Sequence, residues 1–310
     1  MPAELKTVRE LVQATADWFA SKGLESPRLN AERLLGDVLG LTRLELYLHH
    51  DRPLTPEETD RYRALVKRRG AGEPLQTLIG ETQFYSRSFK VEAGVFIPRP
   101  ETELLVERCV GLLTGGTSSL LAPVAVEIGC GTGIIGVSLA AEIPRLHVWA
   151  TDVNPQAVAL TETNARRLGV AARVEALAGR GFEPLPQHLR GSVHLLVSNP
   201  PYIASDVIAT LDREVAEHDP RAALDGGPDG LDAYRALAAQ AGAWLAPDGL
   251  LALEIGHDQG GTVPEIFAAA GFTDLSMQMD YNGLPRTVTG RLPANAGART
   301  GAARPAATEG

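Results

Sequence analysis

From residue 124 onward, short apolar runs alternate with helical segments, and few architectures accommodate that order. Residues 124–128, 147–152, 173–177, 193–198 and 250–255 read as strands. Between the second and third, Asn154 offers a cap, Pro155 takes the first helical position and Gly169 stops the helix. This alternation predicts an α/β fold built on a parallel, doubly wound sheet with right-handed crossovers. Residues 273–291 supply two further strands joined around Asn282-Gly283. A chain of 310 residues holds such a domain and a small companion, with a core large enough to need no staples. The two cysteines, Cys109 and Cys130, exclude a disulfide framework and a four-cysteine zinc site.

The first seventy residues have helical periodicity, with Leu5, Val8, Leu11, Val12, Trp18 and Phe19 on one face. Ser26-Pro27 reads as a cap followed by a first-turn proline. Thr55-Pro56-Glu57-Glu58 repeats that signal and adds a capping-box glutamate. Four short helices at most fit there, without a catalytic cluster. Aromatic and β-branched stretches around Phe84-Tyr85 and Phe89-Lys90-Val91 suggest a hairpin, which runs into Phe96-Ile97-Pro98-Arg99-Pro100-Glu101-Thr102-Glu103. The expected division is a helical domain at 1–75, a hairpin linker at 76–97, the sheet domain at 98–292 and a disordered tail at 293–310. The tail is almost wholly Ala, Gly, Pro, Thr and Arg and cannot bury enough surface to order itself.

No signal peptide opens the chain, and no apolar run reaches the roughly 18 residues of a membrane span. A soluble, cytoplasmic protein without membrane association is expected. The net charge of −9 argues against wrapping duplex nucleic acid, which needs a concentrated basic face. The seven histidines show no ligand spacing, so no metal is implied. Arg61, Arg63, Lys67, Arg68 and Arg69 are most simply the favourable basic end of a helix.

Val126-Glu127-Ile128-Gly129-Cys130-Gly131-Thr132-Gly133 ends the first strand of the sheet and opens a helix. Glycines there let backbone N–H groups approach a ligand, and a helix N-terminus favours an anionic group. Gly131, Gly133 and Gly136 also satisfy the dinucleotide fingerprint, with Asp152 placed 21 residues after Gly131, so a nicotinamide cofactor stays open on the glycine pattern. S-adenosyl-L-methionine is favoured by Glu127, whose carboxylate suits an ammonium or sulfonium better than a pyrophosphate. Glu127 is equally suited to capping the loop's own amides. Asp152, ending the second strand, suits a ribose diol with either cofactor. Cys130 reads as a small residue in a tight turn.

The sharpest signal is Ser198-Asn199-Pro200-Pro201-Tyr202-Ile203, at the end of the fourth strand. In an open parallel sheet ligands bind beyond the carboxyl ends of strands, so this corner and the glycine loop are expected to share one crevice. The prolines fix φ and leave carbonyls as rigid acceptors, and the Asn199 oxygen adds another. Together they suit both N–H groups of a planar NH2. Methylating an amide needs that, because its nitrogen lone pair is delocalised into the carbonyl. Acceptors on both hydrogens aim the nitrogen at a methyl donor and stabilise positive charge as it forms. Tyr202 is expected to pack its ring on the target group.

Gly129-Cys-Gly-Thr-Gly133, Asn199-Pro-Pro-Tyr202 and Ile97-Pro-Arg-Pro-Glu-Thr-Glu103, with Gly72-Glu73-Pro74-Leu75-Gln76 upstream, resemble the release factor glutamine N5-methyltransferases. So do Ala223-Leu-Asp-Gly-Gly-Pro-Asp-Gly-Leu231, Tyr234-Arg235 and Leu253-Glu254-Ile255-Gly256. The resemblance implies a Rossmann-like, S-adenosyl-L-methionine-dependent methyltransferase sheet behind a helical domain that contacts the substrate protein. It implies transfer of a methyl group, with S-adenosyl-L-homocysteine as product, to the glutamine of the Gly-Gly-Gln motif in class-1 peptide chain release factors. That is a protein-methylation step in translation termination, with no direct nucleic-acid substrate. Carried over, Gly129, Cys130, Gly131, Thr132, Gly133 and Asp152 hold the cofactor, beside the Glu127 singled out by its charge, and Asn199, Pro200, Pro201 and Tyr202 hold the amide, with Asn199 also near the cofactor. Many relatives carry an acidic–aromatic pair after the third strand; here the stretch is Gly179-Arg180-Gly181-Phe182, and Phe182 is the aromatic candidate against adenine. The alternatives are glutamine methylation of a ribosomal protein, adenine-N6 methylation of nucleic acid, and a non-catalytic protein that retains the cofactor fold.

Overall fold

The computed structural model describes residues 5–115 and 122–294, so the expected tail lies outside the described residues from 295 onward. The chain divides into two compact units: one takes in the chain to residue 81 together with 91–93 and 212–218, and the other holds the remainder.

The first unit is helical: α1 (Val8–Ser21), α2 (Pro27–Leu39), α3 (Arg43–Leu48), α4 (Pro56–Gly70) and α5 (Leu75–Ile79). Thr55 and Glu58 form the expected capping box, and the same reciprocal bonds link Thr7 to Glu10 and Thr42 to Glu45. Ser26 departs from expectation. Its backbone is left-handed (φ 46°) and its hydroxyl caps nothing, so Pro27 alone starts α2. The side chain of Asn30 instead ties down the turn before the helix, donating to the Glu25 and Ser26 carbonyls at 3.0 and 3.1 Å. Its oxygen accepts from Arg69 Nε at 2.7 Å, and Arg69 also pairs with Glu214 at 2.7 Å, on the short helix Arg213–His218 of this same unit. Phe19, Leu34, Leu35, Leu54 and Tyr62 form the core.

In the second unit, β1 (Glu81–Phe84) and β2 (Arg87–Lys90) make the expected hairpin. Its Phe84 and Phe89 meet edge to face at 6.1 Å inside the unit's core. There follow α6 (Thr102–Thr114), β3 (Val124–Ile128), α7 (Ile134–Glu142), β4 (His147–Asp152), α8 (Pro155–Arg167), β5 (Val174–Ala178) and β6 (Val193–Ser198). Beyond them lie α9, which is the Arg213–His218 helix of the first unit, and then α10 (Arg221–Leu224), α11 (Asp232–Ala241), β7 (Leu245–Glu254), α12 (Thr262–Ala269), β8 (Thr273–Met279) and β9 (Pro285–Arg291). Helix α6 covers a stretch that sequence periodicity leaves unassigned. Strand β7 begins five residues earlier than expected, reaching back past an irregularity where Asp248 takes φ 60°.

The seven strands order as β5-β4-β3-β6-β7-β9-β8. The first five are parallel, as the alternation predicts, and β9 runs antiparallel to both neighbours. Side chains alternate across the sheet. Ala125, Leu195, Val197 and Ala252 face the core built with α6, α7 and α8, while Val126, Leu196, Leu251 and Leu253 face the one built with α11 and α12. Strand order reverses between β3 and β6. That switch point leaves a crevice beyond the carboxyl ends of the strands. Among the described residues no helix is long and apolar enough to cross a membrane.

Candidate active site

The turn from β3 into α7 is built on left-handed glycines. Gly129, Gly131 and Gly133 take φ of 75°, 53° and 78°, which a side chain rarely tolerates. Added Cβ atoms at Gly129 and Gly131 would meet nothing within 4 Å, so conformation, not crowding, selects glycine there. The amides of Gly129 and Cys130 both donate to the Thr151 carbonyl, at 2.8 and 3.0 Å. The Gly131 amide donates to Asp152 Oδ2 at 2.9 Å, and Asp152 Oδ1 accepts from the Asn154 amide at 2.8 Å. Asp152 thus fixes the glycine loop as well as the start of α8. Asn154 caps α8 through the Gln156 amide. Cys130 is buried, and burial pushes its thiol well above the ordinary range, leaving a small structural residue.

Glu127 is fully buried on β3. Its Oε2 accepts from the Gly136 amide at 3.0 Å, in helix α7, so the capping role sketched from sequence is real but serves the helix, not the loop. Its Oε1 is buried without a partner. Burial pushes the Glu127 carboxyl up to about 8, opposed by the Gly136 amide and reinforced by Asp152.

At the neighbouring strand end, Ser198 Oγ donates to the Ile128 carbonyl at 2.6 Å, tying β6 to β3 where both stop. Beyond it, Asn199-Pro200-Pro201-Tyr202 is braced from behind. Gln259 Nε2 donates to the Tyr202 carbonyl at 3.0 Å, the Ile203 amide donates to the Leu224 carbonyl and the Gly226 amide to the Ile203 carbonyl. A Cβ on Gly226 would lie 2.8 Å from the Pro201 oxygen, which explains a glycine at that position. Among the described residues neither prolyl carbonyl accepts a hydrogen bond. Burial pushes the Tyr202 phenol up to about 12, so its ring is a packing surface and not a base.

These parts line one cleft of about 920 Å³ within the second unit. Glu127, Gly129, Cys130, Gly131, Thr132, Asp152, Phe182, Asn199, Pro200, Pro201 and Tyr202 all border it. Gly133 does not: it caps α7, and a Cβ there would meet Thr161 at 2.8 Å. Phe182 is 3% exposed and stacks on Trp244 at 5.6 Å, so one face of its ring is already occupied. Among the described residues no cluster of three or more His, Cys, Asp or Glu side chains could hold a metal.

Sequence reasoning names two residues at or behind this cleft within motifs but gives them no role. Thr102, 1% exposed at the start of α6, accepts from Asn199 Nδ2 at 3.3 Å. Glu254, 2% exposed at the end of β7, lies behind them. Burial pushes its carboxyl up to about 7, while hydrogen bonds from Thr102 and Asn199 and the nearby Arg286 hold it down. The signal available was a carboxylate inside the apolar strand run 250–255. The run before α6 is itself anchored: Arg99 pairs with the buried Asp219, which also accepts from the Ile97 amide.

Residues 10–80 match the PrmC N-terminal domain and residues 104–222 the methyltransferase small domain. A release factor glutamine methyltransferase of Geobacter sulfurreducens is 42% identical over 289 residues, covering 93% of this chain and 98% of that protein. One from Moorella thermoacetica is 43% identical over 282 residues, covering 90% and 96%. Among solved structures, the hMettl16 catalytic domain in complex with MAT2A 3'UTR hairpin 6 aligns with a TM-score of 0.51 at 13% identity, covering 76% of this chain and 82% of that one. At that identity the likeness concerns the fold alone.

Proposed function

Because the chain belongs to the release factor glutamine methyltransferase family, we propose that it methylates the side-chain amide nitrogen of the glutamine in the Gly-Gly-Gln motif of class-1 peptide chain release factors, drawing the methyl group from S-adenosyl-L-methionine. The observation that carries this reading is the shared cleft. The left-handed glycine loop, Asp152 and the Asn199-Pro200-Pro201-Tyr202 corner all border it, at the ends of three adjacent strands.

The residues present fit S-adenosyl-L-methionine. Glu127 Oε1 is buried and unpaired beside the cleft, an arrangement that a cationic group relieves and a pyrophosphate aggravates. Asp152 keeps lone pairs beyond its two backbone bonds for ribose hydroxyls. When bound, the cofactor supplies a methyl group on an electrophilic sulfonium. The chain's own work is to hold the acceptor. Asn199 Oδ1 and the Pro200 carbonyl receive the two amide hydrogens, and the prolines keep that geometry stiff. The amide proton becomes acidic only as the new N–C bond forms, so no strong base is required beforehand. Tyr202 packs on the planar carboxamide.

The test is incubation with methyl-labelled S-adenosyl-L-methionine and unmodified release factor, followed by peptide mapping. Label on the Gly-Gly-Gln glutamine is expected. In a parallel incubation with unmodified ribosomal proteins, a labelled glutamine there with an unlabelled release factor would overturn the substrate assignment, and no label in either incubation would overturn the activity.

A further inference from the structure

A carboxamide can offer a substrate its oxygen or its nitrogen, and only the oxygen accepts hydrogens from an NH2 group. What decides the orientation of Asn199 is behind it. Its Nδ2 lies 3.3 Å from Thr102 Oγ1, and Thr102 borders the cleft while being 1% exposed. The Thr102 hydroxyl in turn faces Glu254, whose Oε2 is buried without a partner. Once ionised, above about pH 7, Glu254 has no hydrogen to give and draws the hydrogens of both the Thr102 hydroxyl and the Asn199 amide, so the Thr102 lone pairs and the carboxylate both face the Asn199 nitrogen. A reversed Asn199 would set its oxygen against two acceptors.

The relay is itself held. Tyr234 Oη donates to the Glu254 carbonyl at 3.0 Å, Arg286 stands near the carboxylate as counter-charge, and Arg286 is fixed by Asp280 at 3.2 Å. Glu101, the other charged group facing Glu254, opposes its ionisation. Thr102 is carried by the run anchored through Arg99 and Asp219.

We propose that Thr102 and Glu254 are positioning residues that lock the Asn199 carboxamide with its oxygen toward the cleft, making the site an acceptor of NH2 hydrogens. The proposal rests on the methyl-transfer function proposed above and assigns a task to two motif residues that never touch the reacting atoms.

Two measurements test it. The first is steady-state methyl transfer by Thr102→Val, Thr102→Ser and Glu254→Gln, with cofactor dissociation constants and melting temperatures. Thr102→Val and Glu254→Gln are expected to lower kcat at least about tenfold, with cofactor affinity within about twofold and little change in melting. Thr102→Ser, which keeps the hydroxyl, is expected to stay within about threefold of the parent kcat. The second needs no substrate: hydrogen exchange at the Asn199 side-chain amide, read by NMR in labelled full-length protein. Exchange is expected to be slow in the parent and Thr102→Ser and at least about tenfold faster in Thr102→Val.

Full turnover by Thr102→Val, or equal amide exchange in all variants, overturns the lock. So does parallel loss of melting temperature, cofactor binding and kcat that Thr102→Ser fails to restore. A parent enzyme that labels no glutamine defeats the functional reading instead, and the exchange measurement still decides the lock.

Discussion

Asp152 carries two loads in one side chain. It accepts the Gly131 and Asn154 amides, and the proposed function assigns its remaining lone pairs to a ribose diol. Asp152→Ala is therefore expected to weaken S-adenosyl-L-methionine binding by at least about tenfold, more than one lost hydrogen bond explains, because the glycine loop loses its anchor as well. Equilibrium dialysis checks this; an unchanged dissociation constant would remove Asp152 from the site. Asn199→Ala acts on the other partner. It is expected to lower kcat by about a hundredfold or more while cofactor affinity stays within about threefold, read by steady-state kinetics beside binding. Both positions were legible in the sequence, since Asp152 closes one recognisable strand and Asn199 follows another. Glu254 was not given a task because its partners, Thr102 and Arg286, are far away in sequence. A buried charge in an apolar strand announces that something pairs with it but not what.

At the scale of elements, strands and caps were the readable part. The boundaries of β3, β4 and β6 follow directly from apolar runs ended by turn residues. Helix α6 escaped because its apolar stripe continues straight from a proline-rich run without a capping residue: Glu101 stands at its N-cap and makes no side-chain bond there. Ser26 shows the opposite error, a good capping residue placed in a left-handed conformation where its hydroxyl cannot reach the helix amides. Where the box does form it should be measurable. Thr55→Ala is expected to destabilise the first unit by about 1 kcal/mol in urea unfolding, and no change would show that α4 is held by packing alone. Helix α7 is set by closeness rather than capping. An added Cβ at Gly136 would sit 2.5 Å from Glu127 Oε2 and 2.8 Å from Val148 Cγ1. Gly136→Ala is expected to cost about 1–3 kcal/mol in the same measurement and to weaken cofactor binding, since Glu127 must move.

Across the whole molecule, two buried carboxyls shape the response to pH. Glu127 and Glu254 have folded-state values near 8 and 7, against an ordinary 4.5. The folded protein therefore binds their protons more tightly than the unfolded chain. The resulting stabilisation is complete below about pH 4.5 and drains away as pH rises to about 8. Glu127→Gln, which keeps the shape and discards the titration, should gain on the parent over that window by a few kcal/mol at most, on the order set by the linkage relation. Melting temperatures from pH 5 to 8.5 measure it; a difference that stays flat with pH would mean Glu127 ionises freely. Carboxyls held low by hydrogen bonds, the half-buried Asp225 and the buried Asp280 among them, act in the opposite sense and only in more acid solution.

The pairing of Arg69 with Glu214, across 145 residues of sequence, bears on how the chain comes into being. Arg69 is 9% exposed, and a guanidinium stripped of its counter-charge in such a place is expensive. The helices at the amino end leave the ribosome first, yet the carboxylate that completes them is translated only after most of the sheet's strands. A nascent or truncated chain that stops short of it carries an unfinished helical body, so the part of the protein made earliest is among the last to mature.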